Sequence, residues 1–283
     1  VSDTLGGTVV TLSAFADEIS PSLEAAVRVL KGVGLASLDL RGFDGTNVMK
    51  FTDEQVAGAK KLLKREKMAV ASIATPIGKV QVTDAFEPQA GQMKRALELA
   101  ATFGCPTVRV FSFYVTRGED PKKWRKEVLD RMGRLVKQAE GTGVTVVLEN
   151  EEGLYGDTIE RCADIINALK AKQLKLAFDP CNLVIIGPKP FTDSFSLATK
   201  HLGYLHVKDW VRERKEMVPA GFGDAEWPQI AAGLKKIGYA GVVALEPHLS
   251  AAGQFSGFSG PDLFKKAHEA LVGVLKTAGI DYT

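Results

Sequence analysis

The stretch Val144-Thr145-Val146-Val147-Leu148-Glu149-Asn150 decides how this chain of 283 residues is interpreted. Five residues that suit a buried β-strand run directly into the carboxylate of Glu149. In parallel β/α proteins, an ionisable side chain at the end of an apolar strand lies at the edge of the sheet where active sites are built. We therefore examine whether other strands of the chain end in the same way.

Seven further strand-like runs share the pattern, and a helical segment follows each of them. The strands begin at intervals of roughly 27 to 39 residues, with Gly and Pro near the breaks. Alternating strands and helices indicate a parallel sheet, and eight such units predict a closed (β/α)8 TIM barrel of the α/β class. The seven runs are Val9–Phe15, Ala36–Arg41, Met68–Ala74, Thr107–Phe113, Leu174–Asp179, Gly203–Val207 and Gly241–Glu246.

We expect one TIM-barrel domain over residues 1–283, because no linker, low-complexity segment or charge block divides the chain. A doubly wound open sheet is the alternative architecture. It usually has fewer units and carries a G-x-G-x-x-G motif after its first strand, which this chain lacks. The sequence therefore favours the barrel and predicts no nucleotide cofactor.

The composition argues against two classes of partner. Hydrophobic residues make up 45% of the chain, charged residues 25%, and the formal net charge is +2. Acidic and basic residues are mixed throughout, and no basic block predicts a nucleic acid or an anionic membrane as partner. No apolar run approaches the roughly 20 residues of a membrane-spanning helix.

The cysteine content favours a reducing compartment. Cys105, Cys162 and Cys181 are too few and too scattered for a disulfide framework or a cysteine-based zinc site. A cytoplasmic location is therefore favoured. The chain begins at Val1 rather than at a methionine, so a removed N-terminal signal peptide stays open as the alternative.

Ionisable residues close four consecutive strands. Glu149, Asp179, His206 and Glu246 are 30, 27 and 40 residues apart, which is one β/α unit each time. In a barrel, this spacing places the four side chains on adjacent strands at the C-terminal mouth. Taken alone, Glu149 is equally a helix cap or an ion-pair partner, and His206 a hydrogen-bonded core histidine. The set of four favours a functional site.

A site with three carboxylates and one imidazole needs a cation, because the carboxylates repel one another. Ligands dominated by oxygen, with open positions for substrate, suit Mn²⁺, Mg²⁺ or Co²⁺, and Zn²⁺ is a further alternative. We therefore predict one divalent metal ion, with Mn²⁺ as the first candidate. The predicted ligands are Glu149, Asp179, His206 and Glu246.

Five short motifs carry a resemblance to a known family. They are Leu148-Glu149-Asn150, Phe178-Asp179-Pro180-Cys181-Asn182, His206-Val207-Lys208-Asp209, Leu245-Glu246 and Gly221-Phe222-Gly223-Asp224-Ala225-Glu226-Trp227. Together they resemble the xylose isomerase-like superfamily of sugar isomerases and epimerases, over essentially the whole chain. The resemblance implies a small carbohydrate substrate and, since its members are commonly dimers and tetramers, a homodimer or homotetramer.

Within that superfamily, the ketose 3-epimerases, such as D-tagatose 3-epimerase, offer the nearest template. The resemblance implies that all four strand-end residues bind one metal, while Glu149 and Glu246 act as acid and base on opposite faces of the sugar. A C–H bond next to a ketone becomes acidic enough only when the developing enediolate is stabilised, which the metal would do. One carboxylate removes the proton and the other returns it to the opposite face.

The template also supplies candidates for substrate contact. Arg212 matches an arginine that contacts substrate oxygens in those epimerases, although a solvated loop charge is its alternative reading. Asn182 stands where they have a histidine, and Tyr155 where they have an acidic residue. The resemblance therefore does not identify the substrate. His248, just past Glu246, and Lys208 complete the set of candidate substrate-binding residues.

Several loop residues are open to two readings. Lys208 and Asp209 follow His206, and either one of them orients the ligands or the two pair with each other. Asp17, Glu18 and Arg41 follow the first two strands and are candidates for the pocket lining.

Three other functions compete with the isomerase or epimerase. A lyase, such as an inosose dehydratase, shares the barrel and the proton abstraction and differs only in the fate of the intermediate. A non-catalytic sugar-binding barrel ranks third, because paired carboxylates around a metal are not needed for binding alone. An endonuclease IV-like nuclease with three zinc ions is disfavoured by the four histidines and by the near-neutral charge.

Overall fold

The centre of the protein is a parallel β-sheet, seen in a computed structural model that describes residues 8–116, 118–250 and 258–283. From the second strand to the eighth, each strand pairs in parallel with the next one along the chain, and the eighth pairs with the first. A short ninth strand, Asp281–Tyr282, pairs in parallel with the start of the first. A parallel bridge between Phe15 and Asp39 brings the first strand against the second. The strands are β1 (Val9–Ala14), β2 (Ser37–Leu40), β3 (Ala69–Ala74), β4 (Thr107–Val110), β5 (Thr145–Glu149), β6 (Leu174–Phe178), β7 (Leu202–Val207) and β8 (Val242–Leu245).

Helices connect the strands, and their starts and ends follow from local sequence. Thr52 and Gln55 form a capping box at the start of the second helix, and Gly104 ends the third in a left-handed conformation. The helices are α1 (Leu23–Gly32), α2 (Asp53–Glu66), α3 (Glu87–Phe103), α4 (Arg125–Gln138), α5 (Ile159–Leu169), α6 (Pro180–Ile186), α7 (Ser196–Ala198), α8 (Trp227–Lys236) and α9 (Gly260–Ala278). The predicted TIM barrel is thus confirmed. Within the described part of the chain, every helix is too short or too polar to cross a membrane.

The Gly- and Pro-containing residues 187–190 predict a loop after β6 with a helix only from Thr192, and the structure differs from that prediction. The helix α6 instead starts directly behind the strand, because Pro180 occupies its first turn and Asp179 accepts a hydrogen bond from the backbone of Asn182. A π-helical turn, Pro190–Phe195, then leads into α7. Asp179 is therefore a helix cap as well as a strand-end carboxylate.

The sequence after β7 predicts a long loop through Gly221-Phe222-Gly223-Asp224, and this loop contains a hairpin. Asp209–Val211 pairs antiparallel with Glu216–Val218. The buried carboxylate of Asp209 then accepts hydrogen bonds from the backbone N–H groups of Gly221, Gly223 and Ala225. A Cβ atom at Gly223 would lie 2.3 Å from an oxygen of Asp209, so a glycine is needed there. These contacts fix the glycine-containing segment that leads into α8.

A layer of side chains inside the barrel supports the strand ends. Since side chains on a strand alternate between its two faces, a residue two positions before a strand-end residue lies on the same face. Those positions before Glu149, Asp179, His206 and Glu246 are all buried and belong to one apolar cluster. The cluster consists of Phe15, Ala74, Val147, Ala177, Tyr204 and Ala244.

Candidate active site

The barrel brings together the four strand-end side chains that the sequence singled out. Glu149, Asp179, His206 and Glu246 are all buried, and one potential ligand atom from each lies within 4.8 Å of the others. We call these four residues the strand-end cluster. Its parts come from β5 and β7 and from the residues that directly follow β6 and β8.

Glu149 is held by an arginine of the neighbouring strand β4. Arg109 donates from Nη1 to Oε2 of Glu149 at 3.0 Å and from Nη2 to the carbonyl oxygen of Thr75 at 3.2 Å. The other carboxylate oxygen, Oε1, lies 3.1 Å from Nδ1 of His206. Burial alone would raise the pKa of Glu149, but His206 and Arg109 outweigh burial and hold it well below its usual value. Glu149 is therefore a carboxylate with one oxygen fixed and one directed into the cluster.

Glu246 has a similar arrangement on the other side. Arg41 donates from Nη1 to its Oε1 at 2.7 Å, and also forms ion pairs with Asp17 at 2.7 Å and Glu18 at 3.2 Å. Burial would raise the pKa of Glu246, yet Lys208 and other neighbouring cationic groups, Arg41 among them, hold it well below its usual value. The second oxygen, Oε2, is buried, and among the described residues it meets only Nζ of Lys208 within hydrogen-bonding distance, at 3.2 Å. Both glutamates thus direct one oxygen into the cluster.

Lys208 extends into the same cluster. Its Nζ atom lies 2.8 Å from Oδ2 of Asp179, 3.2 Å from Oε2 of Glu246 and 3.9 Å from Oε1 of Glu149. Burial would lower the pKa of Lys208, but these carboxylates raise it well above its usual value. Asp209, the next residue, binds backbone N–H groups of the loop instead. Lys208 and Asp209 therefore do not pair with each other.

Asp179 is positioned by two asparagines. Asn150 accepts a hydrogen bond from the Asp179 backbone N–H and donates one to its carbonyl oxygen, both at 2.9 Å. Asn182 donates its side-chain N–H to the carbonyl oxygen of Asn150 at 2.9 Å and to Oε1 of Glu149 at 3.4 Å. Burial raises the pKa of Asp179 to about 6. The amide at position 182 thus ties β5 to the start of α6 beside the cluster.

The imidazole of His206 is packed between two aromatic rings. Phe15 and Tyr204 meet it edge to face, with ring centroids 5.2 Å and 5.6 Å away. Burial lowers the pKa of His206, but Glu149 and Glu246 outweigh it and the net shift is upward. Its Nδ1 atom lies 3.1 Å from Oε1 of Glu149, and no described residue forms a hydrogen bond with Nε2.

The chemistry of this cluster fits a divalent metal ion. Buried polar atoms are normally hydrogen-bonded, yet Oδ2 of Asp179 and Oε2 of Glu246 meet only the ammonium of Lys208 within hydrogen-bonding distance among the described residues, and Nε2 of His206 has no hydrogen-bond partner among them. The five carboxylates of the ion-pair network face three permanently charged cations, which leaves two negative charges when the imidazoles are neutral. One divalent ion would compensate them. The carboxylates belong to Asp17, Glu18, Glu149, Asp179 and Glu246, and the cations to Arg41, Arg109 and Lys208.

Three predicted substrate contacts lie at different distances from the cluster. His248 borders it, with Nε2 at 3.7 Å from Oε1 of Glu246 and Nδ1 at 2.6 Å from Oε1 of Glu18. Tyr155 is buried and donates its hydroxyl to Asp164 at 3.3 Å. Arg212 donates its guanidinium to backbone carbonyl oxygens at the end of α6, those of Val184, Gly187 and Pro188. The described hydrogen bonds of Tyr155 and Arg212 are thus made with Asp164 and with the end of α6, and their role in substrate binding stays a prediction.

Arg109 was not among the residues predicted to belong to the site. It lies within the apolar run Thr107–Phe113, where it read as part of a strand. Its guanidinium is buried over the rings of Phe111 and Phe15, at 4.6 Å and 5.5 Å from their centroids. A lone arginine in an otherwise apolar strand was the available signal, since such a charge needs a buried partner. Asp17, Glu18 and Arg41, which were candidates for the pocket lining, lie next to Glu246.

Comparisons with known proteins agree with this architecture. A family model described as a xylose isomerase-like TIM barrel matches residues 27–272. A D-psicose 3-epimerase of Enterocloster bolteae is 27% identical over 141 residues, which are 49% of this chain and 45% of that protein. The match thus spans less than half the length of this curated relative.

Two solved structures share the fold over almost their whole length. One is a D-allulose 3-epimerase from a Methylomonas species in complex with D-allulose, with a TM-score of 0.73 and 17% identity. The similarity covers 95% of this chain and 98% of that one. The other is a xylose isomerase-like TIM barrel protein of Mycobacterium smegmatis in complex with magnesium, with a TM-score of 0.70 and 17% identity over 95% and 97% of the two chains.

Proposed function

The chain belongs to the xylose isomerase-like TIM barrel family, and from this premise we propose that it is a divalent-metal-dependent sugar isomerase or epimerase. The reaction begins with removal of a proton from a carbon next to a carbonyl group. The observation that carries the proposal is the pair Glu149 and Glu246. Each has one oxygen held by an arginine and the other directed into the same cluster.

The metal would be held by Glu149, Asp179, His206 and Glu246, whose ligand atoms already lie within 4.8 Å of one another. When bound, it supplies positive charge beside the substrate oxygens on which negative charge develops. Mn²⁺ is the first candidate and Mg²⁺, Co²⁺ and Zn²⁺ are the alternatives. The magnesium complex of the mycobacterial structure supports a divalent ion in this fold.

Glu149 and Glu246 are the groups that would remove the proton from the substrate carbon and return one to it. Arg109 and Arg41 keep Glu149 and Glu246 ionised, which a general base requires. One carboxylate oxygen takes the proton from carbon, and the electron pair of the broken C–H bond moves towards the carbonyl oxygen to give an enediolate. For the return of a proton, the other glutamate has to start in its acid form. It then protonates the carbon, from the opposite face in an epimerisation, and is left as a carboxylate while the first glutamate holds the proton taken from carbon. The burial of both carboxylates keeps bulk water from competing for the proton.

A sugar substrate is supported by the relatives. The family match, a D-psicose 3-epimerase and a D-allulose-bound 3-epimerase all suggest ketoses as the first compounds to test. Asn182 and Tyr155 stand where the ketose 3-epimerase template has a histidine and an acidic residue. The screen therefore includes inososes and 3-keto-sugars as well as free ketoses.

Solvent exchange in deuterated water tests the proposal. With Mn²⁺ bound, we expect the protein to incorporate deuterium into its substrate at the carbon next to the carbonyl group. The substrate should not lose water, and NMR spectra measure both outcomes. Glu149→Gln and an excess of chelator should both abolish the exchange, while Glu54→Gln, which changes an exposed carboxylate of α2, should retain it. An absorbing enone product would instead identify a lyase, and tight sugar binding without any exchange a binding protein.

A further inference from the structure

The ammonium group of Lys208 lies among the very atoms that would bind the metal. Its Nζ is 2.8 Å from Oδ2 of Asp179 and 3.2 Å from Oε2 of Glu246, and neither oxygen receives a hydrogen bond from any other described residue. We propose that Lys208 and the divalent ion compete for the same carboxylates, so that Lys208 sets the metal affinity of the site. This inference rests on the proposed function, because it presumes that the strand-end cluster binds a metal.

The competition follows from distance and charge. A small divalent ion binds carboxylate oxygens at about 2.0–2.2 Å, closer than an ammonium approaches them. The three carboxylates contacted by Lys208 are three of the four proposed ligands. Two cations within a few ångströms of each other repel strongly in a buried site. The ammonium therefore has to leave its ion pairs with Asp179 and Glu246 when the ion takes those oxygens.

The sequence explains why the lysine lies there. Lys208 is two residues after His206, so both side chains project from the same face of the chain at the end of β7. Its side chain is only 6% exposed. A buried ammonium is tolerated only when it is paired, and the carboxylates around it need a cation for the same reason. Lys208 thus stabilises the cluster in the folded protein before any metal arrives.

The side chain of Lys208 is flexible enough for its ammonium group to move. Lysine is a flexible four-carbon chain with a rotatable donor group, so the head can move while the stem stays in place. Glu151, in the loop after β5, contributes to the electrostatic field at Lys208. Its carboxylate is a quarter exposed. The flexible stem therefore allows the ammonium to leave the carboxylate oxygens while the backbone of Lys208 stays in place.

Metal titration tests the inference without any measurement of activity. Free Mn²⁺ is followed by electron paramagnetic resonance for the wild type, Lys208→Met, Lys208→Gln and Lys208→Arg. We expect the two neutral variants to bind Mn²⁺ at least about tenfold more tightly than the wild type, a gain of roughly 1.4 kcal/mol. Lys208→Arg keeps the charge and should gain nothing, and neither should Lys172→Met, which removes an exposed lysine.

Thermal unfolding supplies a second readout for variants purified with metal and then treated with chelator. The neutral variants should melt at a lower temperature than the wild type without metal, and the difference should shrink at saturating Mn²⁺. Equal Mn²⁺ affinity in the wild type and both neutral variants, or weaker binding by them, overturns the inference alone. A wild type that binds no divalent ion overturns the inference and the proposed function together.

Discussion

Arg109 donates from Nη1 to Oε2 of Glu149 at 3.0 Å, so one oxygen of this carboxylate is fixed while the other faces His206. Arg41 fixes Glu246 in the same way, at 2.7 Å from its Oε1. Each glutamate can therefore offer one oxygen to the centre of the cluster without rotating. This arrangement suits a carboxylate that binds a metal through one oxygen and still exchanges a proton with a substrate.

Replacing Arg109 should destabilise the protein through Glu149. Arg109→Met leaves a buried carboxylate without its partner, which costs about 3 kcal/mol. The double variant Arg109→Met/Glu149→Gln should recover a large part of that loss, since no charge is left to compensate. Urea denaturation in the presence of chelator measures both values. Strictly additive effects of the two substitutions would show that the ion pair contributes nothing to stability.

Tyr155→Phe tests whether the hydroxyl of Tyr155 contacts the substrate or only stabilises the fold. The Tyr155 hydroxyl donates to Asp164 at 3.3 Å, and Asp164 also pairs with Arg125. Loss of this hydrogen bond should lower the free energy of unfolding by about 1 kcal/mol and leave kcat/KM within roughly twofold of the wild type. A rise in KM without a loss of stability would show that the hydroxyl reaches the substrate, as the ketose epimerase template predicts.

Arg212→Gln tests whether the guanidinium of Arg212, in the loop after β7, contacts the substrate or only stabilises the fold. The guanidinium binds three backbone carbonyl oxygens at the end of α6. We expect the free energy of unfolding to fall by about 1–2 kcal/mol. The amides of α6 should exchange faster with solvent, and kcat should fall in proportion to that loss of order in α6. An increase in KM with unchanged exchange at α6 would indicate that Arg212 turns towards the substrate.

Metal affinity should rise with pH. His206 has a raised pKa without metal, so its imidazolium persists above the usual value of about 6.5. Proton binding there stabilises the fold fully below that value, and this stabilisation is lost as the pH rises through the raised pKa. Metal binding requires the neutral imidazole and releases the proton.

The dissociation constant for Mn²⁺ should therefore fall by up to about tenfold per pH unit while the imidazolium is still populated. Isothermal titration in buffers of different ionisation enthalpy measures both the affinity and the number of protons released. A pH-independent affinity with no proton release would contradict the role of His206 as a ligand.

The strand-end cluster was predictable because its signal is local and repeated. Apolar runs that end at Glu149, Asp179 and Glu246 recur at the spacing of one β/α unit, and the barrel topology turns that spacing into proximity. Arg109 could not be linked to Glu149 in this way, since it lies within β4 and its partner is defined only by strand order. Loop residues such as Tyr155 and Arg212 were harder still, because spacing does not determine where a loop side chain points.

The two readings of the segment after His206 were resolved by three-dimensional contacts. Both Lys208 and Asp209 are charged and adjacent, so the sequence allowed a simple pair. In the fold, Lys208 points into the cluster and Asp209 binds the backbone of the loop before α8. Trp227 adds to this by donating its indole N–H to the carbonyl oxygen of Lys208 at 2.7 Å.

The metal content of the purified protein tests the central claim most directly. After incubation with Mn²⁺ and removal of the excess, we expect about one ion per chain in the wild type and in Glu54→Gln, which changes an exposed carboxylate of α2. Asp179→Asn and Glu246→Gln, each of which removes one ligand charge, should hold far less. A wild type without a stoichiometric divalent ion, or equal retention by all four proteins, would contradict the account.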